Sequence, residues 1–293
     1  MSAPDVEYLR PSTVEEAAAL LERYRDRAML VAGATDLLLD MRFKNLLPQC
    51  LLDISRLPLN YIREEDGELA LGALATIGAM ERSDLLRRRY ETLVDAARNF
   101  GSPQIRNLAT LGGNIGHATP SAEMAPPLLA LDARVRLVSA RKKRDVPLEA
   151  FFTGPGRTVR EPDEIIAEFR LPVSLRSRGT AYLRHCARET LDIAIVGVAC
   201  SLSLDDGERI RGARIALGAV APTPIRASEA EEVLRGKVAE EAAFARAAEL
   251  AAVASRPISD VRASASYRQE MVRVYTTRAL TLAAQRARTG ERG

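Results

Sequence analysis

The run TLGGNIGHATPSAE at 110–123 constrains this chain more than any other stretch: a double glycine, an asparagine and several small hydroxyl-bearing neighbours within fourteen residues. Such a run offers little side chain to a core and much backbone to anything that approaches it. A second glycine segment, LVAGATD at 30–36, follows the apolar MLVA of 28–32 and opens into LLLDMRF. That order reads as strand, glycine turn, helix. In both segments consecutive N–H groups can form an anion-binding nest. The first adds a helix N-terminus, whose unpaired amides and partial positive charge favour an anion. Thr35, Thr110 and Asn114 supply side-chain donors. Taken alone, the first segment is better explained as a tight turn capped by Thr35 or Asp36 than as a phosphate site. Two such loops in one chain point to a ligand with two phosphates, a dinucleotide, and the residues by themselves leave both readings open.

Other chemistries lack their residues. No GxxxxGK[ST] and no GxGxxG is present, since GPGRTV at 154–159 fails at its last position, so neither a P-loop nor a Rossmann site is supported. The two histidines, His117 and His185, cannot form a metal cluster by themselves and read as surface or satisfied core residues. No nucleophile elbow starts a Ser-His-Asp hydrolase. Cys50, Cys186 and Cys200 lie far apart without a CxxC, so they assemble neither a zinc site nor an iron–sulfur cluster; reduced thiols are expected. No catalytic residue and no metal ligand is assigned. Net charge is +3 with acids and bases interspersed, and no basic stripe carries interleaved aromatics, so nucleic acid is not an expected partner. The longest basic run, RKKR at 141–144, reads as a solvated turn before a strand. The N-terminus MSAPDVEYLRPST has no signal-peptide pattern and no apolar run reaches membrane-spanning length, which leads to the expectation of a cytoplasmic protein.

At 293 residues, 47% hydrophobic and 28% charged, the chain has the composition of a globular protein of two domains or one large one. PSTVEEAAALLERY (11–24) predicts a helix capped by Ser12 or Thr13, with Glu15 or Glu16 closing a capping box and Val14, Ala17, Ala18, Leu21 and Tyr24 on one face. LLDI (51–54) reads as a strand. YIRE and LALGA, joined through Asp66-Gly67, read as a hairpin. ETLVDAARNF (91–100) is helical; ARVRLVS (133–139) and EIIAEFRLP (164–172) are strands. The polar VSLRSRG at 173–179 marks a domain boundary. Beyond it AYLRHCA (181–187) is a strand. So is VGVACSLSL (196–204), whose alternating Val196, Val198, Cys200, Leu202 and Leu204 place one face in a core. Asp206-Gly207 turns the chain into a strand at 211–220. The remainder is helical, with Tyr267, Met271, Val274, Tyr275 and Leu282 along one side of 266–288. The class is α+β.

At LVAGATDLLLDMR and TLGGNIGHATPSAE the sequence resembles the two flavin-phosphate loops of the FAD-binding (medium) subunit of molybdenum-containing hydroxylases, the xanthine dehydrogenase and carbon monoxide dehydrogenase family. LLDISRL, LALGALATIGAME, RNFGSPQIRNLATLGGN, EIIAEFRLP, AYLRHCARETLDIAIVGVA and SYRQEMVRVYTTRAL follow in the family's order, so the resemblance covers nearly the whole chain. It implies a two-part FAD-binding domain of the vanillyl-alcohol-oxidase-like type over 1–175 (subdomains about 1–55 and 56–175). A smaller α+β C-terminal domain with an antiparallel sheet follows over 176–293. It also implies a cofactor set. Leu30, Val31, Ala32, Gly33, Ala34, Thr35, Asp36 and Leu37 form the first loop, and Thr110, Leu111, Gly112, Gly113 and Asn114 the second. Phe100 lies near the flavin, and Ile166 lies in an apolar wall. Glu123 stands where the family has an aspartate bonded to the cofactor's sugar or adenine end, and Arg184 where some members place a lysine. Core packing is the plain alternative for Phe100 and Ile166. Ala34 replaces a second glycine, and Glu123 is one methylene longer than the usual aspartate.

By the same resemblance the chain is an electron-transfer subunit. It takes electrons from [2Fe–2S] clusters of a small subunit, beside a large molybdopterin subunit, and passes them to NAD, oxygen or a quinone. The assembly is a dimer of heterotrimers. The absence of a cysteine-rich insertion after the second loop sets the chain apart from the 4-hydroxybenzoyl-CoA reductase type. A stand-alone flavin oxidase or reductase on the same fold, and a scaffold that has lost FAD, are the alternatives.

Overall fold

The computed structural model describes residues 6–172, 178–188 and 191–289. The chain opens with β1 (Glu7–Leu9), α1 (Val14–Tyr24), β2 (Ala28–Val31), α2 (Leu37–Phe43) and β3 (Cys50–Asp53). The three strands form a parallel sheet in the order β1-β3-β2, which leaves β2 at an edge. α1 starts at its cap: Thr13 Oγ1 accepts the Glu16 N–H, and the Glu16 carboxylate turns back to the N–H and hydroxyl of Ser12. Ala17, Ala18 and Leu21 are buried, while Val14 and Tyr24 sit at the edges of that face.

The next lobe contains β4 (Ile62–Glu65), β5 (Glu68–Gly72), α3 (Ile77–Arg82), α4 (Asp84–Arg89), α5 (Glu91–Asn99), α6 (Pro103–Leu108), α7 (Leu111–His117) and α8 (Ala125–Ala130). It closes with β6 (Arg134–Val138), β7 (Lys143–Pro147), β8 (Phe152–Gly154), β9 (Arg157–Thr158) and β10 (Ile165–Pro172). Five strands pair antiparallel in the order β4-β5-β10-β6-β7. Asp66 (φ 54°) and Gly67 (φ 73°) both take left-handed geometry, the I′ turn that suits the twist of a two-residue hairpin. β10 is central and covered on both faces, so its apolar residues point both ways, and its buried Glu168 is paired with Arg136 and Arg170. Ile166, Phe169 and Leu171 pack into the large core of this lobe, and Ile165 and Ala167 into the core shared with α1 and β3. The basic run at 141–144 is matched by acids: Arg141 pairs with Glu22, Lys142 with Glu161 and Arg144 with Glu164.

The C-terminal part contains β11 (Arg178–His185), β12 (Val196–Leu204), β13 (Ile210–Gly218), β14 (Ile225–Arg226), α9 (Ser228–Leu234), α10 (Glu241–Ala254) and α11 (Ala265–Thr289). Its four strands are antiparallel in sequence order. The alternating side chains of β12 enter the core beneath α10 and α11, as expected from their spacing. The opposite face is covered too, since Ala199 and Ala216 pack into the core of the preceding lobe.

Three expectations change. Residues 173–177 of the proposed irregular boundary lie outside the described residues, and Arg178 and Gly179 already belong to β11. A short strand, β14, interrupts the helical remainder. The buried stripe of α11 is Arg268, Val272, Thr276, Ala279, Leu280, Ala283, Ala284 and Ala287, not the side bearing Tyr267, which is 44% exposed. The cause is close approach: a Cβ on Gly179 would stand 1.8 Å from the Ala283 carbonyl oxygen, so only small residues fit between α11 and β11. No helix among the described residues is long and apolar enough to cross a membrane.

Candidate functional site

A cleft of about 440 Å³ opens between the parallel sheet and the five-stranded lobe. The two glycine segments meet across it. β2 ends at Val31, the chain turns through 32–36, and α2 leaves the other side. Gly33 is held against the second segment so closely that a Cβ there would stand 1.9 Å from the Leu108 carbonyl oxygen. Ala34 takes φ 59°, the left-handed geometry that glycine adopts without cost and an L side chain resists. This turn leaves its donors free. The N–H groups of Gly33, Ala34, Thr35, Asp36 and Leu37 have no hydrogen-bond partner among the described residues, and Asp36 makes no side-chain cap. Five successive unpaired amides facing a cleft are a cradle for an anion.

The second segment works differently from the nest the sequence led us to expect. It too starts a helix, α7, with Thr110 as N-cap accepting from the Gly113 N–H at 3.1 Å. Leu111 N–H donates to the Ala75 carbonyl, Gly112 N–H to that of Ala73, and Asn114 N–H to that of Thr110. All four amides are therefore engaged. Gly112 is required for a different reason: a Cβ would stand 2.7 Å from Ala73 Cβ and 2.8 Å from Ala73 O. Gly113 is exposed on the cleft, so the segment contributes a bare backbone wall. The Thr110 hydroxyl and the Asn114 amide nitrogen border it, and Asn114 Oδ1 accepts the Met124 N–H at 3.1 Å.

Of the residues assigned from sequence, Leu30, Ala32, Gly33, Ala34, Thr35, Asp36, Leu37, Phe100, Thr110, Gly112, Gly113, Asn114 and Ile166 line this one cleft. Val31 and Leu111 do not; Leu111 is fully buried in the core behind α7. Glu123 and Arg184 also stand outside the lining, as a buried pair 3.3 Å apart, with Glu123 Oε1 accepting from the Tyr182 hydroxyl at 2.8 Å. Burial pushes the Glu123 carboxyl up to about 6, against the lowering pull of Arg184 and Tyr182. The Tyr182 hydroxyl is raised by burial and by the Glu123 charge. Gly197 makes this cluster possible, because a Cβ there would stand 2.7 Å from the Tyr182 hydroxyl.

Sequence reasoning missed two features of the cleft. His117, read as an isolated histidine, projects into it between two carboxylates, 3.2 Å from Asp40 and 3.8 Å from Asp36. Lys44, 2.8 Å from Asp40, holds that carboxyl below its usual range, with His117 adding to the effect. Asp36 and Asp40, at i and i+4, share one helix face, and that spacing was the available signal. The second feature is Arg160, in the turn between β9 and β10, which no pattern marked.

A glycine-walled cleft with a run of free amides defines a protein that binds a phosphorylated ligand. Comparison with known proteins agrees and is more specific. Residues 4–174 match the FAD binding domain in molybdopterin dehydrogenase, and residues 181–283 match the CO dehydrogenase flavoprotein C-terminal domain. The chain is 34% identical over 284 residues to the carbon monoxide dehydrogenase medium chain of Hydrogenophaga pseudoflava, covering 97% of this chain and 98% of that one. It is 32% identical over 277 residues to the xanthine dehydrogenase FAD-binding subunit of Escherichia coli O157:H7, covering 94% of each. The solved structure of carbon monoxide dehydrogenase from H. pseudoflava superposes with a TM-score of 0.93 at 35% identity, over 98% of this chain and 99% of that one. Quinoline 2-oxidoreductase from Pseudomonas putida 86 gives 0.90 at 30% identity, over 98% and 99%. This chain belongs to the FAD-binding medium subunits of the molybdenum-containing hydroxylases.

Proposed function

We propose that the cleft carries FAD with its pyrophosphate between the amides of 33–37 and the bare wall of Gly112 and Gly113, and that the chain serves as an electron-transfer subunit. The observation that carries this reading is the run of five unpaired amides set against a glycine wall. FAD supplies two-electron chemistry that also proceeds one electron at a time, the property needed between iron–sulfur clusters and a two-electron acceptor. The chain's own residues bind and orient. The amides of 33–37 neutralise phosphate charge, the Thr110 hydroxyl and Asn114 amide add donors, and Phe100 and Ile166 keep water from the apolar wall. Glu123, with Arg184 and Tyr182, is a buried carboxyl that keeps its proton to higher pH than an exposed glutamate.

In this reading 1–175 forms the FAD-binding domain and 176–293 the second domain. The electrons come from [2Fe–2S] clusters of a small partner subunit, beside a large molybdopterin subunit, in a dimer of heterotrimers. They leave to NAD, oxygen or a quinone. Among the described residues no group of three or more His, Cys, Asp or Glu could hold a metal. The three free cysteines support a reducing, cytoplasmic setting.

The test is co-expression with candidate iron–sulfur and molybdenum subunits from the same source. The expected result is a complex whose flavin is reduced through the clusters when substrate is added anaerobically. A chain that purifies alone, turns over a substrate by itself and ignores the partners would place it among stand-alone flavin enzymes instead.

A further inference from the structure

The cleft extends past the phosphate-facing turn, back along β2. Ala28 and Leu30 line this arm from the free edge of the parallel sheet, and the strand carries it roughly 10 Å away from the turn. Arg160 lines the cleft from the β9–β10 turn, near enough to Asp26, just before β2, to feel its charge. That turn is firmly built: the fully buried Glu164 carboxylate accepts the Glu161 N–H at 2.9 Å and a two-pronged bond from Arg144. Arg160 Nη1 donates to the carbonyls of Glu164, at 2.8 Å, and Glu161, at 3.3 Å. These two bonds fix the plane of the guanidinium. Its Nε and Nη2 have no hydrogen-bond partner, and no carboxylate stands within ion-pair distance, among the described residues.

Arg136, Arg144, Arg170 and Arg226, each partly buried, all pair directly with carboxylates. Arg178, like Arg160, meets no carboxylate within ion-pair distance among the described residues, but its Nε donates to Ser201 Oγ and its Nη2 to the Ala130 carbonyl, so it keeps fewer free donors than Arg160. Burial lowers the affinity of Arg160 for its proton, and only the more distant charges of Glu164 and Asp26 oppose this. A positioned guanidinium with two free donors in a cleft is suited to a phosphate or ribose oxygen.

We propose that Arg160 recognises the adenylyl half of the dinucleotide through its free Nε and Nη2, and so selects FAD over FMN. This rests on the reading of the cleft as an FAD site. With the flavin half on the Phe100 side of the turn, a mononucleotide ends at the phosphate-facing turn, and only the added AMP half extends toward β2 and Arg160.

The experiment compares the full chain with Arg160→Leu and Arg160→Lys, stripped of cofactor and titrated with FAD, FMN and ADP. In the wild type, FAD binds much more tightly than FMN, and ADP competes with FAD. Arg160→Leu is expected to weaken FAD at least tenfold, to abolish ADP competition and to leave FMN within twofold. Arg160→Lys, which keeps the charge and loses the planar fork, falls between and serves if the leucine variant does not fold. FAD affinity within twofold of wild type in both variants overturns the role of Arg160, as does an equal loss for FAD and FMN. A folded wild type that takes up neither FAD nor ADP overturns the FAD reading, and this inference with it.

Discussion

At the scale of single residues, the first loop turns on two neighbours with opposite requirements. Gly33 has no room for a side chain because the Leu108 carbonyl fills the space. Gly33→Ala is therefore expected to separate the two segments and abolish FAD uptake, checked by flavin content after purification. Ala34 has the reverse problem: it holds φ 59° as an L residue. Ala34→Gly relieves about 1 kcal/mol of backbone strain and should raise the thermal midpoint while FAD remains bound; a fall in the midpoint would contradict the strain. Gly33 announced itself as a glycine, although nothing in the sequence named the carbonyl it meets. The strain at Ala34 was marked only by the glycine that the family has at that position, because an alanine itself carries no sign of its φ.

At the scale of elements, caps and local hydrogen bonds decide where each segment points. Thr110 starts α7 and orients the glycine wall, so Thr110→Ala is expected to cost about 1 kcal/mol of stability and to weaken FAD, read by denaturant unfolding and by flavin titration. The end of β3 is pinned by Asp53, which accepts from the Tyr8 hydroxyl at 2.5 Å and from Arg10 and Ser55. Burial would raise the Asp53 carboxyl, yet these partners together hold it down at about 2. A depressed carboxylate stabilises the fold above its ordinary unfolded value and loses that contribution as pH falls through the folded one. The wild type should thus exceed Asp53→Asn by about 2 kcal/mol near neutrality, with the gap closing between about pH 4 and pH 2. A gap independent of pH would contradict the assignment. The Asp66-Gly67 hairpin and the cap of α1 were legible in sequence because their geometry is encoded within a few residues. The buried face of α11 was not. Its alanines are selected by close approach to Gly179, and the larger side chains that marked the other side carry more hydrophobicity without more burial.

At the scale of the whole molecule, distant segments complete what the local patterns begin. Arg286 near the end of α11 reaches Asp95 of α5 at 2.6 Å, the Tyr182 hydroxyl crosses to Glu123, and a Cβ on Gly218 would strike Pro126. These contacts join residues far apart in sequence, so no short window displays them. For the same reason the engagement of the Leu111 and Gly112 amides by the Ala75 and Ala73 carbonyls was invisible before the fold. The central claim is that the glycine-walled cleft holds FAD. Its most direct measurement is the absorption spectrum of the purified chain, with identification of any chromophore released by heat. The account predicts bands near ~370 and ~450 nm and the release of FAD, not FMN, at close to one per chain. A colourless, folded protein that also takes up no added FAD, alone or with its partner subunits, would contradict it.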